Sequence, residues 1–138
     1  MMAAQKERDK RERQAARTKA ANLLDKAVEG LRKAGSQDDL PYGLLARAKF
    51  FRWQRQYDRA WADLNEAKEI AGTGSMYLHL CDYHLEAGRL CLAEGKTEEA
   101  DHHFSMAKKM IEETGYHRRD KEVERLRREE DIKIVEEG

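Results

Sequence analysis

The chain has 138 residues, enough for one domain or a piece of one, and its 27 basic residues are matched by 27 acidic ones. No global field therefore draws it to DNA, RNA or an anionic membrane. Charged residues make up 39% of the chain, aromatics 7%, and proline occurs once, a mix typical of long surface-exposed helices. No apolar run approaches the roughly 20 residues that cross a bilayer, and residues 1–19 lack the apolar core of a secretory signal, so the expected location is cytoplasmic.

In chain order, residues 4–34 predict one long helix. It is polar from Gln5 to Lys19. Beyond that, Ala20, Leu23, Leu24, Ala27, Val28 and Leu31 fall on one face at helical spacing. Gly35-Ser36-Gln37-Asp38-Asp39 ends it, glycine suiting the left-handed cap. Pro41 sits where a first helical turn tolerates proline and opens a helix to about Gln54. Arg55-Gln56 is a short turn into a helix over Tyr57 to Ala71, and Gly72-Thr73-Gly74-Ser75 breaks the chain again. Met76 to Glu94 predicts the next helix, capped by Gly95. Thr97 to Thr114 follows, closed by Gly115, and a sparsely apolar helix runs from Asp120 to about Glu136. No stretch alternates as a strand does, so the expected class is all-α. The expected core is Leu24, Ala27, Leu44, Leu45, Ala48, Phe51, Ala60, Leu64, Ala67, Leu85, Gly88, Phe104, Ala107 and Ile111.

A forty-residue period runs through these elements. Ala60, Leu64 and Ala67 return as Ala100, Phe104 and Ala107; Leu45 and Ala48 return as Leu85 and Gly88; one period earlier stand Ala20, Leu24 and Ala27. Small residues let neighbouring helix backbones approach and large ones fill the gaps, which is how stacked helical units bury a common core.

These helix pairs resemble tetratricopeptide repeats. One unit supplies Leu44, Leu45, Ala48, Phe51, Tyr57, Ala60, Leu64 and Ala67; the next supplies Leu85, Gly88, Cys91, Gly95, Ala100, Phe104 and Ala107. The period is forty rather than the family's thirty-four, with the surplus around Ala71 to Leu80. The first unit's would-be first helix, Lys6 to Arg17, is charged where apolar residues belong. Leu78 to Ala87 and Glu113 to Asp120 are also similar to repeat arrays at the C-termini of large bacterial signalling ATPases and regulators, although no phosphate-binding loop is present. The resemblance implies an α-solenoid of antiparallel helix pairs, about two full repeats plus flanking helices. Residues 1–35 would be an N-terminal helix with a half-repeat, 36–115 two hairpins, and 116–138 a polar capping helix.

The resemblance also implies a non-catalytic protein–protein interaction scaffold, with a concave groove that takes a peptide or partner helix. Carried over by position, its lining is Tyr42, Leu45, Lys49, Arg52 and Trp53 with Asp82, Leu85, Glu86, Arg89 and Leu92. Lys49, Arg52 and Arg89 would form a basic patch beside Trp53, suited to an acidic peptide. The asparagines of the family's carboxylate clamp are absent at these positions.

Two alternatives stand beside this reading. A half-repeat would leave an apolar edge at Leu23, Leu24, Val28 and Leu31, which pairing of two copies would cover, making the chain an assembly module. The N-terminal stretch from Ala4 to Lys19 holds seven basic and three acidic residues, which admits nucleic acid as a partner. It carries no aromatic stacking residue or known motif, however, and a solvated charge run is the favoured reading.

Chemistry finds little support. Cys81 and Cys91 share one predicted helix roughly 15 Å apart along its axis, beyond the reach of a disulfide, so reduced buried thiols are expected. Cys81 and His84 make one loose pair where zinc wants four ligands, and adjacent His102 and His103 project about 100° apart. No metal or other cofactor is expected. Without a serine elbow, a phosphate cradle or a carboxylate pair in a cleft, no enzyme is expected either.

Overall fold

A computed structural model describes residues 2–73, 76–114 and 123–126. Five helices follow one another: α1 (Met2–Lys33), α2 (Leu40–Trp53), α3 (Tyr57–Thr73), α4 (Tyr77–Ala93) and α5 (Thr97–Thr114). Residues 123–126 are helical as well, and no strand occurs among the described residues. The protein is all-helical. Most of the expected closing helix lies outside the described residues.

Pro41 occupies the first turn of α2, where its missing N–H costs nothing. Helix α3 runs on through Gly72 to Thr73, two residues past its expected end. The Met76 amide then donates back to the Ala71 carbonyl at 2.9 Å.

Three helix ends share one hydrogen-bonding scheme. After α1, the amides of Gly35 and Ser36 donate to the carbonyls of Arg32 and Leu31. After α2, those of Arg55 and Gln56 donate to Arg52 and Phe51; after α4, those of Gly95 and Lys96 donate to Leu92 and Cys91. This is the Schellman motif, which needs a left-handed residue at its centre. Gly35, Arg55 and Gly95 have φ of 66°, 59° and 78°. The second and third turns lie forty residues apart and reverse the chain into two hairpins, α2/α3 and α4/α5. Each helix packs on its successor, and α2 also packs on α4.

Two apolar clusters hold this arrangement. One gathers Val28 from α1, Leu44, Leu45 and Ala48 from α2, Ala60, Leu64 and Ala67 from α3, and Tyr83, Ala87 and Leu90 from α4. The other joins Cys81, Leu85 and Cys91 of α4 to Ala100, Phe104, Ala107 and Ile111 of α5, and includes Val123 and Leu126. Each fully buried large side chain contributes about 1.5–3 kcal/mol. The thiols of Cys81 and Cys91 are free and buried.

Three core expectations need correction. Ala27 is exposed, and Leu24 and Phe51 are only half-buried. Among the described helices, α2 is the one whose backbone packs on α1, so a narrow stripe through Val28 is sealed and Ala27 falls outside it. The expected apolar edge is correspondingly reduced. Val28 is fully buried and Leu31 packs against the first cluster, leaving Leu23, at 58% exposed, as the one open side chain of the four.

Polar ties cross the same interfaces. Arg47 of α2 reaches Asp63 of α3 through two hydrogen bonds and Asp25 of α1 through a third. Arg32 of α1 grips both carboxylate oxygens of Glu66 on α3, and the Trp61 indole donates to Glu94 at 2.6 Å.

Candidate functional site

Helices α2 and α4 lie against each other, and a furrow follows the line where they meet. One part of it, about 230 Å³, is lined by Tyr42, Leu45, Ala46, Lys49, Asp82, Leu85, Glu86 and Arg89. The adjoining part, about 540 Å³, is lined by Lys49, Arg52, Trp53, Arg89, Leu92, Ala93, Arg125 and Leu126. Lys49 and Arg89 border both, so the two depressions are continuous. The structure thus brings all ten residues named from sequence onto one surface. Tyr42, Leu45, Lys49 and Arg52 on α2, and Asp82, Glu86 and Arg89 on α4, are spaced by three and four, which keeps side chains on a single helical face.

Leu45 and Leu85 form the floor, both buried. Two aromatic rings stand open at opposite ends, Tyr42 at 54% exposed and Trp53 at 64%. The ammonium of Lys49 sits 5.1 Å from the Trp53 ring centroid, and the Arg52 guanidinium carbon 6.0 Å from it, both within cation–π range.

The expected basic patch is present in altered form. Glu86 is buried between the arginines: its Oε1 accepts from Arg89 Nη1 at 2.7 Å, and its Oε2 stands 3.5 Å from Arg52 Nε. Two of the three expected cations are therefore held by an internal carboxylate. Lys49 remains exposed, and Arg125 adds a fourth cation at the far end. With Asp82 included, four cations face two carboxylates, so the furrow stays positive on balance.

Ala46, Ala93, Arg125 and Leu126 also line the furrow and were not named from sequence. The forty-residue register could have found the alanines, since Ala46 is the counterpart of Glu86 and Ala93 that of Trp53. No signal marked Arg125, which reads as one more charge on a polar helix.

A second cluster occupies another face of α4. His84 Nδ1 and His103 Nδ1 of α5 are 3.0 Å apart, with Tyr83 edge-on to both rings. Burial, with the charges of His103 and Lys68, pushes the His84 imidazole down to about 4; burial and His102 lower His103 as well. Cys81 does not join this pair, its thiol lying 3.9 Å from the Ala107 carbonyl oxygen. Burial, with Glu99 and Glu94 nearby, pushes the Cys91 thiol up to about 11, far from a reactive thiolate. Among the described residues no three histidines, cysteines or carboxylates gather as a metal site, and no helix is long and apolar enough to cross a membrane.

No protein-family model matches the chain, and no curated protein or solved structure is significantly similar to it.

Proposed function

We propose that the chain is a non-catalytic interaction module, a tetratricopeptide-like α-solenoid whose α2/α4 furrow holds an extended or helical segment of a partner protein. The observation that carries this reading is the furrow itself. Its two walls come from corresponding positions forty residues apart, its floor is apolar, and Trp53 and Tyr42 stand exposed along it. Exposed aromatics beside an apolar strip are the usual anchors of protein recognition. The surplus positive charge favours a partner segment carrying carboxylates, steered by Lys49 and Arg125. Work of this kind fits a cytoplasmic regulator or adaptor.

The test is capture of partners by the wild-type chain and by Lys49→Glu with Trp53→Ala. Both side chains are exposed, so the double variant keeps its fold. A partner bound by the wild type and lost by the variant supports the reading. Equal recovery by both removes the furrow as the binding site. Reversal of Arg89 is the wrong probe, because it would set a second carboxylate against buried Glu86 and destabilise the chain itself.

A further inference from the structure

Among the described residues, no other helix packs along the N-terminal half of α1. Residues 2–19 are exposed apart from half-buried Asp9, and continuous partial burial begins only at Ala20 and Ala21. That gives a free arm about 27 Å long at the usual rise per residue. Four of the body's arginines, Arg32, Arg47, Arg52 and Arg89, are ion-paired within the fold. Among the described residues, no arginine or lysine of the arm has a partner of that kind.

The placement of these cations is ordered. Lys6, Lys10, Arg13 and Arg17 are spaced by four, three and four, so they form one line along the helix. It extends the stripe that further on becomes Leu24, Val28 and Leu31. Arg8 and Lys19 stand roughly opposite that line. Glu7, Arg11, Gln14, Thr18 and Asn22 lie on the sector between the two basic sides, Asp9 falls on the sector across from it, and Glu12 stands beside Arg8 and Lys19.

We propose that this arm lies in the major groove of duplex DNA. A helix with its side chains is about 10–12 Å across and the groove about 12 Å wide, so cations on both flanks meet a phosphate rail on each side. The sector of Glu7, Arg11, Gln14, Thr18 and Asn22 faces the base edges, where Arg11 can donate to guanine and Glu7 accept from a cytosine amino group, and Asp9 faces away from the groove. The arm has no apolar stripe, which removes two other occupants. A membrane surface needs an apolar face to insert, and a partner helix needs an apolar seam. Phosphate backbones are bound by charge alone.

The experiment is fluorescence anisotropy of a labelled 20-base-pair duplex titrated with the full chain. About four neutralised phosphates predict binding roughly a hundredfold weaker at about 200 mM salt than at about 50 mM. Lys10→Ala with Arg13→Ala and Arg17→Ala should weaken binding at least tenfold while the melting temperature stays unchanged. Absence of binding at the lower salt overturns the proposal, and so does full binding by the triple variant. A lowered melting temperature in that variant would show that the arm packs on the body, which also overturns it. Equal affinity for a single strand or for polyglutamate would show attraction to any polyanion and defeat the groove geometry.

Discussion

A methyl group placed on Gly88 of α4 would lie 2.2 Å from Cε1 of the Phe104 ring on α5. One period earlier the corresponding residues are Ala48 and Leu64, both fully buried in the first cluster. The two hairpins thus solve the same packing problem with opposite partitions of volume, alanine with leucine in one and glycine with phenylalanine in the other. Gly88→Ala should lower stability by on the order of 2 kcal/mol, although alanine is the better helix former by about 1 kcal/mol. Adding Phe104→Leu should recover most of the loss, because it recreates the pair of the first hairpin. Urea denaturation of the three chains checks both statements, and a stabilised Gly88→Ala would refute them.

Arg55 adopts a backbone conformation that its two counterparts assign to glycine. Left-handed geometry costs a residue with a Cβ roughly 1–2 kcal/mol, part of which glycine returns through its freer unfolded state. Arg55→Gly should therefore raise stability by about 0.5–1 kcal/mol, seen as a higher denaturation midpoint with an unchanged slope.

The His84–His103 contact predicts acid sensitivity. Both imidazoles are held below their ordinary range, so the unfolded chain binds more protons than the folded one. Stability is then complete above about pH 6.5 and falls with pH toward about 4. After allowance for the partial exposure of both rings, the loss should be on the order of 2 kcal/mol. His84→Gln should flatten the pH dependence of the melting temperature in that window. An unchanged profile would show that the pair does not govern it.

Asp63 and Asp25 share Arg47 but should differ in worth. Asp63 is buried, with its oxygens 2.9 and 2.8 Å from the guanidinium nitrogens, whereas Asp25 is exposed at 3.2 Å. Asp63→Ala leaves Arg47 partly buried without its main partner and should cost about 3 kcal/mol. Asp25→Ala should cost no more than about 0.5 kcal/mol. Thermal melts of the two variants separate these outcomes.

Helix limits from the end of α1 onward were legible, the end of α3 apart, because the punctuation is local: Pro41 opens a helix, and Gly35 and Gly95 close others within one hydrogen-bonded turn. The furrow residues were legible for a different reason. A fixed period carries one helical face onto the next, so naming Leu45 and Lys49 also names Leu85 and Arg89. What escaped depends on tertiary neighbours. Ala27 has the right residue type in the right register, but no second helix among the described residues covers it. The register puts Glu86 in the furrow, but only the packing of α2 on α4 closes Arg52 as well as Arg89 around it. His84 and His103 stand nineteen positions apart, and only the packing of α4 on α5 makes them one titrating unit. Arg55 broke the glycine rule that located its two counterparts.

The exposed arm has a consequence for how charge is distributed over the described residues. It carries seven basic and three acidic residues, whereas the other described residues hold 14 basic against 17 acidic. A chain that is neutral by count is therefore, over its described residues, an electric dipole by placement, with its positive pole at the end of a lever. Such an object turns as it diffuses through a field, and it meets any negatively charged surface arm first.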